Sequence, residues 1–472
     1  MLGAWVVVGC GNAALSGKGV SDAHEAPLVH LRAADPDRSA SNPAAQSDPT
    51  PVDPAHAREV QSDAALPTAN SDVSLATILA FADQHSPVLR VARSTRSRAE
   101  AARVAASVTT PSNPELTIAA GPRLVNAGTG VELELMLMQQ VQIAGERGLR
   151  VAASDSLAKL TDAEIEQVRW TVHCEVHAAF HRTLVEQERA RLAGAVVGFQ
   201  EEVLRVVERQ IAAGETAPLS LRLAQAEVAQ ARQVLVAAEQ AFTASRIRLA
   251  ELAGWSVASP PLPTSGVDSP RDPPALERLS QVAREHLPSL RTGAARIEEA
   301  TSRVTLADRE SWPRPALGVQ YRREDNRELG GTSNLVMGVL SLPIPSFQLN
   351  QGERARARAE VNVARAELDA SEQLLDGQIA EARSEVVAAA ARTRAYGTEI
   401  LPRFSENLTL LRRSFELGEI DILALSTGRE RFLRIQSDAL SAQQDYFVAL
   451  SGLERVVGVD LWRDDHDEGH AQ

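Results

Sequence analysis

The hydrophobic period of this chain changes abruptly near residue 145, and this change limits what the chain can fold into. Over residues 131–138, the side chains fall on two faces with a period of two, as in a strand that separates two environments. One face carries Val131, Leu133, Leu135 and Leu137, and the other carries Glu132, Glu134, Met136 and Met138. After Gly145 the pattern has a helical period to about Ala213, roughly 100 Å of helix at 1.5 Å per residue. Helices of globular domains average roughly 11–12 residues, so this pattern argues against an ordinary globular domain.

The order of sequence landmarks occurs twice, which predicts a duplicated fold. The segment ADQHSPVLR at 82–90 corresponds to AREHLPSLR at 283–291, which lies 201 residues later. The Gly-Glu-Arg triplet at 145–147 recurs at 352–354, which lies 207 residues later. Repeated landmarks in one order indicate two copies of a unit made of helix, strand, strand, long helix, reversal and return helix.

The N-terminal residues have the pattern of a targeting segment. An apolar run precedes Val7-Val8-Gly9-Cys10, which resembles a bacterial lipobox and predicts export with lipidation at Cys10. An ordinary signal peptide is the alternative interpretation.

Composition divides the rest of the chain. The segment after Cys10 is rich in Pro, Ala, Asp and Ser without apolar periodicity, which is typical of disorder. The predicted parts are a targeting segment at 1–10, a disordered linker at 11–72, a first repeat at 73–259, a linker at 260–275, a second repeat at 276–460 and an acidic disordered tail at 461–472.

Charge and composition exclude several classes of function. The chain has 49 basic and 62 acidic residues, a net charge of −13, whereas a nucleic-acid-binding protein carries a basic patch or stripe. Only 4% of the residues are aromatic, and the sequence contains no arrangement of nucleophile, base or phosphate-binding loop, so we predict neither an enzyme nor a cofactor. Beyond the first ten residues, no apolar run approaches the roughly 18 residues of a transmembrane helix. A membrane-spanning part would therefore have to consist of strands.

The predicted strands have the length of an outer-membrane barrel wall. Each is about ten residues long with an apolar face, and four such strands cannot close on themselves. An open edge in lipid leaves backbone groups without hydrogen bonds, so several chains must share one barrel. Two chains would give eight strands with a filled interior, and three would give twelve strands with a lumen. The alternation then assigns Leu133, Leu135 and Leu137 to lipid and Glu132 and Glu134 to a water-filled lumen that disfavours anions. A half-buried soluble sheet would show the same alternation.

Two longer motifs carry a resemblance to a known family. They are QQVQIAGERGLR at 139–150 and LPIPSFQLNQGERARARAEVNVARAE at 342–367. Together with the duplicated order, they resemble the TolC family of outer-membrane efflux proteins over about residues 74–460. The Pro-rich strand end followed by Asn350-Gln351-Gly352 resembles the heavy-metal (cobalt–zinc–cadmium and copper) efflux branch of that family.

The resemblance implies both an architecture and a function. It implies a mainly α fold with a transmembrane β part, in which a homotrimer forms a twelve-stranded barrel in the outer membrane of a Gram-negative bacterium. A long α-helical barrel would continue into the periplasm and meet a periplasmic adaptor (membrane fusion) protein and an inner-membrane pump of the proton-driven resistance-nodulation-division type. The channel would be passive, and metal cations are the expected cargo. A drug-efflux or type I secretion duct is one alternative, and a periplasmic or surface coiled-coil scaffolding lipoprotein is an alternative of another class.

The two predicted helix reversals are the expected contacts with the adaptor. Their residues are Gly214, Glu215, Gly418 and Glu419. A plain helical hairpin turn is the alternative interpretation. The chain departs from the family where an acidic residue often follows the second reversal, because Thr427 stands there.

Three histidines recur every four residues on the first long helix. They are His173, His177 and His181, beside Cys174 and Glu175. Histidines at i and i+4 can share a metal ion. The equivalent positions of the second copy are not histidines, which favours a histidine stripe between helices. We therefore predict no metal site, and these three histidines are the candidate ligands if one exists.

Overall fold

The computed structural model describes residues 72–125, 128–214, 217–264, 269–326, 331–417, 419–420 and 422–461. Cys10, Glu215 and Gly418, which were singled out from the sequence, lie outside the described residues. All described residues belong to one compact unit, Pro67–Gln472.

The described residues form the same order of elements twice. The first copy consists of β1 (Asp72–Val73), α1 (Leu75–His85), α2 (Pro87–Ser94), α3 (Arg96–Ser107), β2 (Glu115–Val125), β3 (Gly128–Gln140), α4 (Glu146–Ala212), α5 (Pro218–Ala253) and β4 (Leu262–Pro263). The second consists of α6 (Leu276–His286), α7 (Pro288–Arg309), β5 (Ala316–Asn326), β6 (Gly331–Ser341), α8 (Gln351–Ala395), a π-helical turn (Tyr396–Ile400), α9 (Leu401–Glu416) and α10 (Ile422–Val457). None of the helices in the described part of the chain has an apolar stretch long enough to cross a membrane.

The first helical segment is shorter than its sequence pattern predicts. Ser74 caps α1 as expected, because its side chain accepts a hydrogen bond from the backbone N–H of Thr77 at 3.3 Å. The sequence predicts one helix from Ser74 to about Val108 with a kink at Pro87, whereas the structure has three helices with breaks at Ser86 and again at Thr95. Ser86 precedes Pro87, and the proline ring disfavours the helical conformation for the residue before it.

The two long helices differ in one detail that the sequence explains. α4 runs without interruption for 67 residues after Gly145, which has a left-handed φ of +76°. Its counterpart in the second copy is interrupted by the π-helical turn directly before Pro402. Proline lacks the N–H that would donate to the carbonyl four residues earlier and its ring crowds that carbonyl. A turn of π-helix is one way to accommodate this defect.

The four long strands form one antiparallel sheet in the order β2-β3-β5-β6. Leu135 of β3 lies opposite Ile118 of β2 and Tyr321 of β5, and Tyr321 lies opposite Val336 of β6. Directly opposed residues share a face, so this register orients β6, whose sequence is apolar on both faces. β2 and β6 form the two edges and each pairs with one strand among the described residues.

The two copies bury equivalent side chains. In the first, Ile78 of α1 and Leu249 of α5 pack with Phe180 of α4. In the second, Leu279 of α6 and Leu453 of α10 occupy the corresponding places in the cluster. The four aliphatic side chains are at most 1% exposed, which stabilises each copy by about 1.5–3 kcal/mol per side chain.

The first copy also closes through a short parallel pair between β1 and β4. Asp72 lies opposite Leu262, and the backbone N–H of Thr264 donates to the carbonyl of Val73 at 3.3 Å. Asp72 was predicted to end the disordered linker, and it belongs instead to this pair.

A left-handed glycine ends the return helix of each copy. Gly254 follows α5 with φ +77°, and Gly458 follows α10 with φ +84°. A Cβ on Gly254 would overlap the carbonyl oxygen of His85, and a Cβ on Gly458 would lie 2.7 Å from the Cα atom of Leu287. Each glycine therefore allows the return helix to approach the junction between the first two helices of its copy.

We expect Gly254→Ala to destabilise the protein by about 2 kcal/mol or more, since alanine disfavours the left-handed conformation and its Cβ overlaps the His85 backbone. The matched control is Gly198→Ala on α4, where a Cβ meets nothing within 4 Å. This control should be neutral or stabilising, because alanine is the better helix former. Unfolding of the purified protein can be followed by tryptophan fluorescence, to which Trp255, 8% exposed, contributes. Equal stability of the two variants would contradict this account.

Candidate functional site

The polar face of the sheet holds a cluster of charged side chains around Arg322. Its guanidinium lies 3.1 Å from a carboxylate oxygen of Glu134 and 3.7 Å from oxygens of Glu132 and Glu324. The amide of Gln320 donates a second hydrogen bond to Glu134. One guanidinium among three carboxylates leaves this cluster with a net charge of −2.

The sequence predicted Glu132 and Glu134 on one face but missed Arg322. The two glutamates lie on β3 and the arginine on β5, and only the register of the sheet brings them together. The face therefore carries both signs of charge with an acidic excess, and it is less acidic than the two glutamates alone suggest.

The opposite face of the sheet is largely apolar and exposed, and Arg323 lies on it opposite Leu133. Leu133, Leu135 and Leu137 share it with Val319 and Val336 of the neighbouring strands. Leu137, Val319 and Val336 are 49%, 55% and 67% exposed. Soluble monomers rarely expose a continuous apolar surface of this kind, which marks a protein or membrane contact.

The helix reversals lie at the far ends of the long helices. Gly214 has φ +75°, and a Cβ there would meet nothing within 4 Å. Glu419 is exposed, and its backbone N–H donates to the carbonyl of Ser414 at 2.9 Å. Leu219 and Leu417 beside the reversals are 67% and 61% exposed. These ends therefore present exposed apolar side chains next to polar ones.

A half-buried arginine above the second reversal was not predicted from the sequence. The guanidinium carbon of Arg429 on α10 lies 3.4 Å from the ring centre of Phe199 on α4. Burial, and then the charge of Arg412, lower the pKa of Arg429. A cavity of about 490 Å³ lies beside it and is also lined by Tyr396 of the π-helical turn. The stacked pair therefore joins the long helix of the first copy to the return helix of the second copy near their reversals.

The three histidines of α4 have different surroundings. Nε2 of His173 lies 2.7 Å from Asp460, and Nδ1 of His177 lies 2.9 Å from Glu454. Burial lowers the pKa of His177, but the hydrogen bond and charge of Glu454 outweigh this effect, so the pKa is raised. The prediction that no metal site is present did not anticipate these carboxylates, which lie at the other end of the chain.

His181 belongs to a different environment. Its ring stacks on Phe447 with the ring centres 3.8 Å apart. Burial, and then the charge of His177, lower the pKa of His181 to about 3, so the ring is neutral at pH 7. Cys174 on the same helix is also buried, and burial raises the pKa of its thiol to about 12. These two side chains act as packing groups between the helices.

Comparison with known proteins finds a family match for the second copy and distant relatives of the chain. Residues 279–459 match the family model described as outer membrane efflux protein. The chain is 24% identical to the cobalt-zinc-cadmium resistance protein CzcC of Cupriavidus metallidurans over 322 residues, which cover 67% of this chain and 75% of CzcC. It is also 22% identical to the pyoverdine export outer membrane protein OpmQ of Pseudomonas putida, with coverage of 69% of this chain and 71% of OpmQ.

Solved structures share the fold. The crystal structure of CusC, described as a protein that forms a transmembrane channel, superposes with a TM-score of 0.65 at 16% identity and covers 85% of this chain and 95% of CusC. The structure of the Campylobacter jejuni CmeC outer membrane channel gives a TM-score of 0.65 at 12% identity, with coverage of 87% and 93%. Both confirm the predicted fold of a short sheet continued by long helices.

The family has a common mode of action. Its members are passive ducts rather than enzymes, and they act as trimers in tripartite systems with an adaptor and an inner-membrane pump. The duplicated order, the two-faced sheet and the match of the second copy together identify this chain. Its second copy matches the outer membrane efflux protein family, and the chain is an outer-membrane efflux channel of a Gram-negative bacterium that extends into the periplasm.

Proposed function

We propose that three copies of this chain form one passive duct, which carries divalent metal cations from an adaptor and a proton-driven pump of the resistance-nodulation-division type to the exterior. The observation that carries the proposal is the open four-stranded sheet, with an exposed apolar face and a charged face.

The edges of the sheet support a barrel shared between chains. β2 and β6 each have one partner strand among the described residues, so each presents a row of backbone groups on its other side. In lipid, each unsatisfied group would cost several kcal/mol. Pairing β6 of one copy with β2 of the next satisfies both rows, and three copies give twelve strands with a lumen.

The faces of the sheet support an orientation for this barrel. The exposed apolar face with Leu133, Leu135 and Leu137 contacts lipid, and the face with Glu132 and Glu134 lines the lumen. Three copies then give a ring of charge with an acidic excess, which favours cations over anions in the duct.

The adjacent residues Arg322 and Arg323 test this orientation, because they lie on opposite faces of β5. In planar bilayers, Arg322→Gln should raise the permeability ratio of K⁺ to Cl⁻ by about twofold or more, since it removes the positive charge that lies beside Glu132 and Glu134. Arg323→Gln is the matched control and should leave the ratio unchanged. Equal effects of the two substitutions would contradict the assignment of faces. Monomers in detergent without conductance would contradict the channel and favour a scaffold.

The helix reversals support contacts with the adaptor. Gly214 permits the left-handed conformation at the first reversal, and the space around it is open. Leu219, Leu417 and Glu419 are exposed at the same ends, which suits docking of another protein. Glu215 and Gly418 are also proposed to contact the adaptor, and for these two residues the support is the sequence pattern alone.

We expect Gly214→Trp to abolish export while trimers still form, because the bulky side chain lies at the surface that the adaptor contacts. Site-directed crosslinking measures contact with the adaptor, and native electrophoresis measures trimer formation. Gly214→Ala separates the causes, since it carries the backbone strain without the bulk. Unchanged export and crosslinking in Gly214→Trp would refute the assignment of the reversal.

Two features support metal cations as the cargo. One is the similarity to CzcC, a protein named for cobalt, zinc and cadmium resistance. The other is the start of α8, where Asn350 has a left-handed φ of +55° and its amide donates to the carbonyl of Ala307 at 3.1 Å. Asparagine tolerates this conformation better than most residues, which explains the Asn-Gln-Gly motif that resembles the metal-efflux branch. OpmQ, named for pyoverdine export, is the observation that favours another cargo.

Deletion of the gene tests the cargo. We expect the deleted strain to become sensitive to zinc, cobalt, cadmium or copper salts, with resistance restored by the wild-type gene. Growth inhibition is measured beside a panel of drugs. Sensitivity confined to the drugs would overturn the metal assignment and leave the duct itself in place.

A further inference from the structure

Four metal-ligating side chains meet where the first long helix crosses the end of the chain. His173 and His177 come from one face of α4, since residues four apart lie above each other on a helix. Glu454 comes from the last turn of α10, and Asp460 follows Gly458. The group therefore joins the first copy to the second and lies outside the sheet and the helix reversals.

The donor atoms of this group are close together. Nδ1 of His177 lies 2.9 Å from a carboxylate oxygen of Glu454, and Nε2 of His173 lies 2.7 Å from Asp460. Ligand atoms of His177, Glu454 and Asp460 all lie within 4.8 Å of one another. A tetrahedral zinc site with bonds of about 2.0–2.2 Å has ligand atoms roughly 3.3–3.6 Å apart. Side-chain adjustments of about an ångström would therefore place these three donors around one ion, and His173, which lies outside this group of three but contacts Asp460, would complete the set by a larger movement.

The group has a buried floor and an open rim. The side chains of Glu454 and His177 are 1% and 10% exposed, whereas those of His173 and Asp460 are 25% and 33% exposed. The second oxygen of Glu454 accepts a hydrogen bond from the backbone N–H of Leu461 at 3.2 Å, which holds the carboxylate in place. An oriented carboxylate behind a rim open to solvent is a common arrangement in metal sites.

The donor set selects the class of metal. Two imidazole nitrogens and two carboxylate oxygens suit Zn²⁺ and similar transition metals, whereas Mg²⁺ and Ca²⁺ prefer sites made of oxygen alone. His181, which the sequence grouped with His173 and His177, is not part of this set, because its ring is stacked on Phe447.

We propose that His173, His177, Glu454 and Asp460 bind one Zn²⁺ or similar transition-metal ion per chain, which ties the first long helix to the end of the last one. This ion is a structural component of the channel wall, so the proposal is independent of the cargo.

Metal binding by the full-length trimer in detergent tests the proposal. The predicted acidic tail contains His466 and His470, so both are first changed to alanine, and any affinity tag is removed. After treatment with chelator, titration calorimetry with Zn²⁺ and elemental analysis should give one ion per chain, and excess Mg²⁺ or Ca²⁺ should not displace it. Zn²⁺ should also raise the unfolding temperature of the trimer.

The decisive variant changes the rim and leaves the buried pair intact. In the same background, the double variant His173→Asn and Asp460→Asn should weaken Zn²⁺ binding by about 100-fold or more, since loss of an outer-shell partner alone costs 10–100-fold. It should also abolish the thermal shift. The matched control is His286→Asn with Asp445→Asn, which removes a histidine and a carboxylate that are 51% and 59% exposed elsewhere. Absence of Zn²⁺ binding by the protein in which only His466 and His470 are changed to alanine would overturn the proposal. Equal Zn²⁺ binding by the two double variants would also overturn it.

Discussion

Backbone hydrogen bonding at the two outer strands is the constraint on which the rest of the structure depends. A sheet of four strands has two edges, and β2 and β6 each pair on one side only among the described residues. Such edges are harmless in water, where solvent satisfies them, and costly in lipid, where nothing does. In the proposed trimer, each chain contributes a third of a twelve-stranded wall, and its two edges are paired only when the other two copies are present. The long helices follow from the same requirement, because the wall must continue outside the membrane, where a helix satisfies its own backbone.

Features that depend on neighbouring residues were predictable from the sequence. The alternation in β3 and the helical period after Gly145 gave the element types, and α4 begins and ends within a residue of the prediction. The repeated landmarks predicted the duplication, because the same backbone conformation is required at the same place in each copy. Gly254 and Gly458 show this clearly, since both adopt left-handed conformations against the same helix junction. Pro87 predicts a kink at this point of one helix, whereas the structure has a full break at Ser86.

Features that depend on distant residues were not predictable. Arg322 reaches Glu134 across 188 positions of sequence, and only the strand register joins them. The histidines of α4 were visible as a pattern, but the carboxylates that meet them lie far along the chain. Without these partners, His173 and His177 could not be distinguished from His181, whose stacking on Phe447 gives it a packing role. Spacing along one helix identifies candidate groups, and only the fold supplies the rest of a site.

The contact between His177 and Glu454 has a consequence for the order of folding. The two residues are separated by 277 positions, and they come from α4 in the first copy and α10 in the second. Each copy has its own hydrophobic cluster and can collapse on local contacts, whereas this contact requires both to be in place. Contacts that close so large a loop carry a high entropic cost and form late. The pair is therefore a natural reporter of the closing step, in which the two halves of a nascent chain become one protomer.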